Sequence, residues 1–172
     1  MDLRTEILAE HSKTQTHKIA GWIGNDVKRF KQLLHLFLTD EYRVVQRAAW
    51  IISMVAEEHP GLVQPHIAEL VERMQEPGLP GAVKRNMVRI MQFMELPEAV
   101  HGPVLNACFD FLADPQEAIA VRCFSMTVLA NLSKTYPEIR QELTAILEDQ
   151  LEMGASAGFR SRAKKVLAAF NK

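Results

Sequence analysis

The sequence predicts an all-α fold: a right-handed α-α superhelix of about four helical hairpins behind an N-terminal half repeat. Three observations predict it. First, Gln46, Lys84, Arg122 and Arg160 are spaced by 38, 38 and 38 residues, and four apolar columns keep the same register. Val45, Val83, Val121 and Phe159 come one residue before them, and Ile52, Ile90, Val128 and Val166 six after. Ala56, Met94, Leu132 and Phe170 come ten after, and Leu33, Val71, Phe109 and Leu147 thirteen before. A fixed period of this length is the signature of a repeat array. Second, the pattern inside a repeat is helical. Val45, Ala49, Ile52 and Ala56 form an i, i+4, i+7, i+11 stripe, and strand alternation is absent over any useful length. Third, Pro60, Pro80, Pro97, Pro115 and Pro137 each precede a fresh amphipathic run, where proline suits a helix start.

The elements follow in order. A cap over 2–24 holds a short helix at 2–10 and another at about 13–24. The first repeat, 26–58, pairs helices 26–38 and 41–58 across a turn with Asp40. The second, 62–95, pairs 62–75 and 81–95 across Gly78. The third, 98–133, pairs 98–113 and 116–133 across Asp114. The fourth, 138–170, pairs 138–152 and 156–170 across Gly154. One hairpin cannot bury its apolar face alone, so neighbours must stack into one continuous thin core. Residues 1–172 therefore read as a single repeat domain, with a thin final cap, because Leu167 and Phe170 still follow the apolar pattern.

Composition agrees. The chain has 172 residues, 48% of them hydrophobic and 24% charged, which excludes global disorder. A net charge of −1 excludes a uniformly basic nucleic-acid coat but leaves room for a local basic patch. Cys108 and Cys123 are too few for a disulfide scaffold. No apolar run approaches the roughly 20 residues of a membrane span. The first fifteen residues are charged from Asp2 onward and hold no apolar signal core. These features point to a soluble protein of a reducing cytoplasm, with no membrane partner.

The segments 40–55 and 114–132 resemble the HEAT repeat family. Asp114, Val121, Arg122 and Ser125 resemble its turn aspartate, Val-Arg pair and small residue opening a second helix. Asp40, Val45 and Ala49 do likewise, with Gln46 in the arginine place. Gly78 and Lys84 replace aspartate and arginine in the second repeat, and Gly154 takes the turn of the fourth. The resemblance covers roughly residues 13–170, and the chain as a whole looks like short bacterial HEAT-like proteins with no settled role. It implies an armadillo-like helical fold and leaves the task open, since fold does not fix function. In the family the matching arginine often bonds a turn aspartate of a neighbouring repeat. Only Asp40 and Asp114 are available here, so that ladder is incomplete.

Charge separates by helix type. Second helices, counting 11–24 among them, total +9, and first helices total −8. The resemblance places second helices on a concave face, which implies a basic concave face and an acidic back. A merely solvated face is the simpler alternative. On the side of the second helices opposite the stripe lie Arg43, Arg47, Trp50 and Met54, with Arg85, Val88, Arg89 and Gln92 in the next repeat and Ile119, Cys123 and Met126 in the third; Lys84 belongs to the column with Gln46, Arg122 and Arg160, which could line a groove. Arginine and tryptophan commonly anchor protein contacts and stack on bases; alternatively, neighbouring repeats cover these groups.

The densest cluster is the last. Ser156 and Gly158 precede Arg160, Arg162, Lys164 and Lys165 at a helix start, where cations oppose the helix dipole. Free backbone N–H groups beside arginines would hold a phosphate or carboxylate; a solvated cap is the alternative reading. The P-loop spacing is absent. The six histidines form no metal-ligand set, and no cofactor motif occurs. Neither cysteine has a nucleophile signature, and Ser125 lacks a nucleophile elbow.

The leading expectation is a non-enzymatic interaction module or scaffold whose basic concave face binds an acidic or amphipathic segment of another protein. Nucleic-acid binding is the alternative, since some HEAT-like proteins grip DNA on such a face. An enzyme of unknown type is the third, and nothing positive speaks for it.

Overall fold

The computed structural model describes residues 1–172 as eleven α-helices and one 3-10 turn, with no strand. They form two compact units, Met1–Leu96 and Pro97–Lys172.

In the first unit α1 spans Leu3–Ala9, α2 Lys13–Ile23 and α3 Val27–Thr39. Each starts on a short oxygen-bearing side chain that satisfies a free N–H. Asp2 accepts from Thr5 N at 2.9 Å, Ser12 from Gln15 N at 3.1 Å and Asp26 from Arg29 N at 3.0 Å. Helix α2 ends at Gly24, whose φ of 51° favours glycine. Helix α4 spans Tyr42–Glu58 and packs against α1, α2, α3 and α7, Gly81–Met91. That central place buries it on more than one side: Val45, Ala49, Ile52 and Ala56 are buried, and so are Val44, Ile51 and Met54.

The first helix of the second repeat departs from expectation. The predicted 62–75 is broken into α5 (Pro60–Val63), the 3-10 turn Gln64–His66, and α6 (Ile67–Met74). Pro65 supplies no N–H to the ladder, which is why the turn tightens there. Helix α7 stops at Met91 rather than 95. Gln92 N and Phe93 N bond three residues back, to Arg89 O and Ile90 O, so the last turn tightens and the helix ends.

The second unit contains α8 (Glu98–Ala113), α9 (Ile119–Leu132), α10 (Ile139–Glu152) and α11 (Ala157–Phe170). Helix α9 starts three residues later than predicted. Asp114 folds back on the turn, its Oδ1 accepting from Gln116 N at 2.8 Å, so 114–118 stay out of the helix. Helix α11 starts on Ser156, whose hydroxyl accepts from Phe159 N.

The repeat register holds. Val45, Val83, Val121 and Phe159 are all buried to 2% exposure or less. Of the sixteen column positions only Phe109, Val166 and Phe170 are half-buried. Polar side chains tie one repeat to the next at a similar period. Arg47 Nη1 donates to Ile7 O at 2.8 Å, Arg73 Nε to Phe37 O at 3.1 Å, and Gln150 Nε2 to Leu112 O at 2.6 Å. Each acceptor lies in the last turn of a helix, where carbonyls lack intrahelical donors.

Candidate functional site

In the second unit α9 and α11 pack side by side, and α10 begins beside them. Between them lies a cleft of about 420 Å³. On α11 its wall follows one helical face: Arg162, Lys165, Val166, Ala169 and Phe170. On α9 it is Thr127, Ala130 and Asn131, the α9–α10 connection adds Lys134, and the first turn of α10 adds Arg140. Four cations thus surround an apolar floor, and no carboxylate lines the cleft.

These cations are held differently. Arg162 Nη1 donates to Thr127 Oγ1 at 3.2 Å, and its guanidinium lies 5.7 Å from the Phe124 ring. The Arg140 guanidinium stacks 5.3 Å from the Phe170 ring. Its Nε is buried without a hydrogen-bond partner. A buried donor left unpaired is costly. Lys165 and Lys134 are exposed at the rim.

The structure divides the basic cluster at 156–165. Ser156 is the helix cap, so its hydroxyl is already engaged. Gly158 is exposed, and Arg160 Nη2 turns back to Ala155 O at 3.3 Å. Lys164 is exposed, whereas Arg162 and Lys165 turn to the cleft. These six residues therefore do not converge on one point at the helix start.

The remaining candidates divide likewise. Arg43 and Arg85 are exposed. Arg47 is committed to Ile7, and Arg89 ion-pairs with Glu57 and reaches Ser53 Oγ at 3.4 Å. Lys84 is half-buried. Trp50 is half-buried and meets the His11 ring edge-on at 5.9 Å. Val88, Met54, Cys123 and Met126 are buried, so neighbouring helices cover these apolar groups opposite the stripe, whereas Ile119 is exposed. The arginine ladder takes another form. Arg122 Nη2 donates to Gln150 Oε1 at 2.6 Å, Asp40 is bound by Arg4, and Asp114 caps its own turn.

Sequence reasoning missed Lys134, Arg140, Ala169 and the outward role of Phe170. Arg140 carried a signal, being the one cation on an otherwise acidic predicted helix, 138–152.

A family model of the HEAT repeat domain matches residues 3–170. The chain belongs to the HEAT-repeat family. No curated protein and no solved structure matches it. HEAT repeats commonly mediate protein interactions, and the family is generally made of non-enzymatic scaffolds. Burial pushes the Cys108 thiol up to about 12, far from a nucleophile's range, and raises Cys123 as well. No three His, Cys, Asp or Glu side chains gather as a metal ion would require. No helix is long and apolar enough to cross a membrane.

Proposed function

We propose that this HEAT-repeat protein is a non-enzymatic interaction module of the cytoplasm that binds an acidic or amphipathic segment of another protein. One observation carries the reading. Helix α11 bears Arg160, Arg162, Lys164 and Lys165 and no carboxylate, and Lys134 and Arg140 stand beside it across a cleft without an acid. Like charges gathered at a surface repel one another, which a partner of opposite sign relieves. In the first unit, second helices also carry exposed cations, Arg43 and Arg85. Both cysteines are free and buried, as suits a reducing compartment.

The test is capture from native lysate by the wild type and by a triple variant, Arg43→Glu, Arg85→Glu and Lys164→Glu. These three side chains are exposed, so folding tolerates the change. Specific protein partners should be lost from the variant. Retention of duplex DNA that falls steeply with salt, with no protein captured, would instead establish the nucleic-acid reading.

A further inference from the structure

We infer that the cleft between α9 and α11 seats one apolar side chain of an acidic peptide, whose flanking carboxylates pair with Arg140 and Lys165. This rests on the interaction-module reading and assigns it a seat. Three features of the cleft argue for that occupant.

The first is charge. Arg140, Lys134 and Lys165 face the cleft, and no carboxylate answers them. Arg140 lines the cleft, and a guanidinium takes a carboxylate through charge-assisted hydrogen bonds. The second is the floor. Val166 and Phe170 continue the helical stripe that buries the core in earlier repeats, yet both are half-buried, and Ala169 beside them is exposed. Apolar area remains there for a partner to cover. The third is length. The α11 wall runs from Arg162 to Phe170, about 12 Å of helix at its usual rise. About four residues of extended peptide span that distance. A volume of about 420 Å³ suits a bulky side chain with groups on either side. The geometry thus orders the occupant: an aliphatic or aromatic residue over Phe170 and Ala169, with acids toward Arg140 and Lys165.

The probe is an immobilised peptide library randomised at every position. The wild type should enrich Asp or Glu beside one aliphatic or aromatic position. Lys165→Glu and Ala169→Glu lie at exposed positions, so both variants should fold; each should bind the winning peptide about tenfold more weakly or worse. Arg140→Gln should keep the apolar preference and lose the acidic one on the side facing Arg140, leaving the side facing Lys165. Equal binding by all four proteins would overturn the cleft as the seat while leaving the interaction reading intact. Enrichment of basic or purely neutral peptides, or of none, would overturn the proposed occupant, and lysate capture then decides the broader reading separately. Matching melting curves for wild type, Lys165→Glu and Ala169→Glu show that a loss is local.

Discussion

Gln150 bridges Arg122 and Leu112: its Oε1 accepts from the guanidinium at 2.6 Å, and its Nε2 donates to the carbonyl at 2.6 Å. One amide therefore satisfies both a half-buried cation and a helix-end carbonyl 38 residues upstream. Gln150→Leu fills similar volume but leaves both groups without that partner. It should destabilise the fold by about 1–3 kcal/mol. Urea unfolding reads this directly, and an unchanged midpoint would show that the amide contributes nothing.

Val83 has no exposed surface. Val83→Asp places an isolated charge inside α7, where burial without a partner is far costlier than a domain's whole margin of stability allows. Circular dichroism should show a protein unfolded at room temperature. Tyr42→Asp, at a position 62% exposed, is the control and should melt cooperatively like the wild type. A native-like melt for Val83→Asp would contradict the repeat register.

Two glycines around the start of α11 should respond oppositely to alanine. Gly158 sits in the helix, and an added Cβ meets nothing within 4 Å. Gly158→Ala should stabilise by about 0.4–1 kcal/mol, mainly by restricting the unfolded chain. Gly154 has φ of +89°, where a Cβ is strained even in open space. Gly154→Ala should destabilise by about 1 kcal/mol. Thermal melts of the pair, with shifts of opposite sign, check the turn geometry.

Acid should act first on the N-terminal repeat. The hydrogen bond from Arg4 holds the Asp40 carboxyl below its ordinary 3.8, and the one from Lys18 lowers Glu6. Bonds from the N–H groups of Thr5 and Arg29 lower Asp2 and Asp26. A depressed carboxyl contributes stability that is complete above its unfolded value. That contribution disappears as pH falls through the lower, folded value. Stability should therefore decline below about pH 4, and Asp40→Asn should flatten the decline. Added salt should flatten it as well, since the Arg4–Asp40 pair lies at the surface. Equal slopes for wild type and Asp40→Asn would show that the Arg4 contact does not persist in solution.

Much of the fold was legible because burial repeats. Val45, Val83, Val121 and Phe159 occupy one environment four times, and a period of 38 residues exposes it without any structure. The ends of helices were less legible, since they depend on single local bonds. Asp114 was recognised as a turn residue, but its bond to Gln116 N, which delays α9, has no periodic trace. Pro65 lay inside a good apolar pattern that concealed the break. The cleft was least legible. Arg140 and Lys165 are brought together from different helices, so their proximity belongs to packing and not to spacing. Arg47 and Arg89 show the converse. Their chemistry suits a partner, yet Ile7 and Glu57 within the same chain have taken it.

The ties from Arg47 to Ile7, Arg73 to Phe37 and Gln150 to Leu112 join a side chain to a main-chain carbonyl. Their two halves are therefore unequal before mutation. No substitution at Ile7, Phe37 or Leu112 can delete the acceptor, provided the helix end survives. The donor vanishes with one codon change. Genetic drift is thus tolerated on one side of every such joint and punished on the other. A mutational scan should find the bulky apolar acceptor positions permissive of any residue that fills the same space, while the polar donors, half-exposed and outwardly replaceable, resist change.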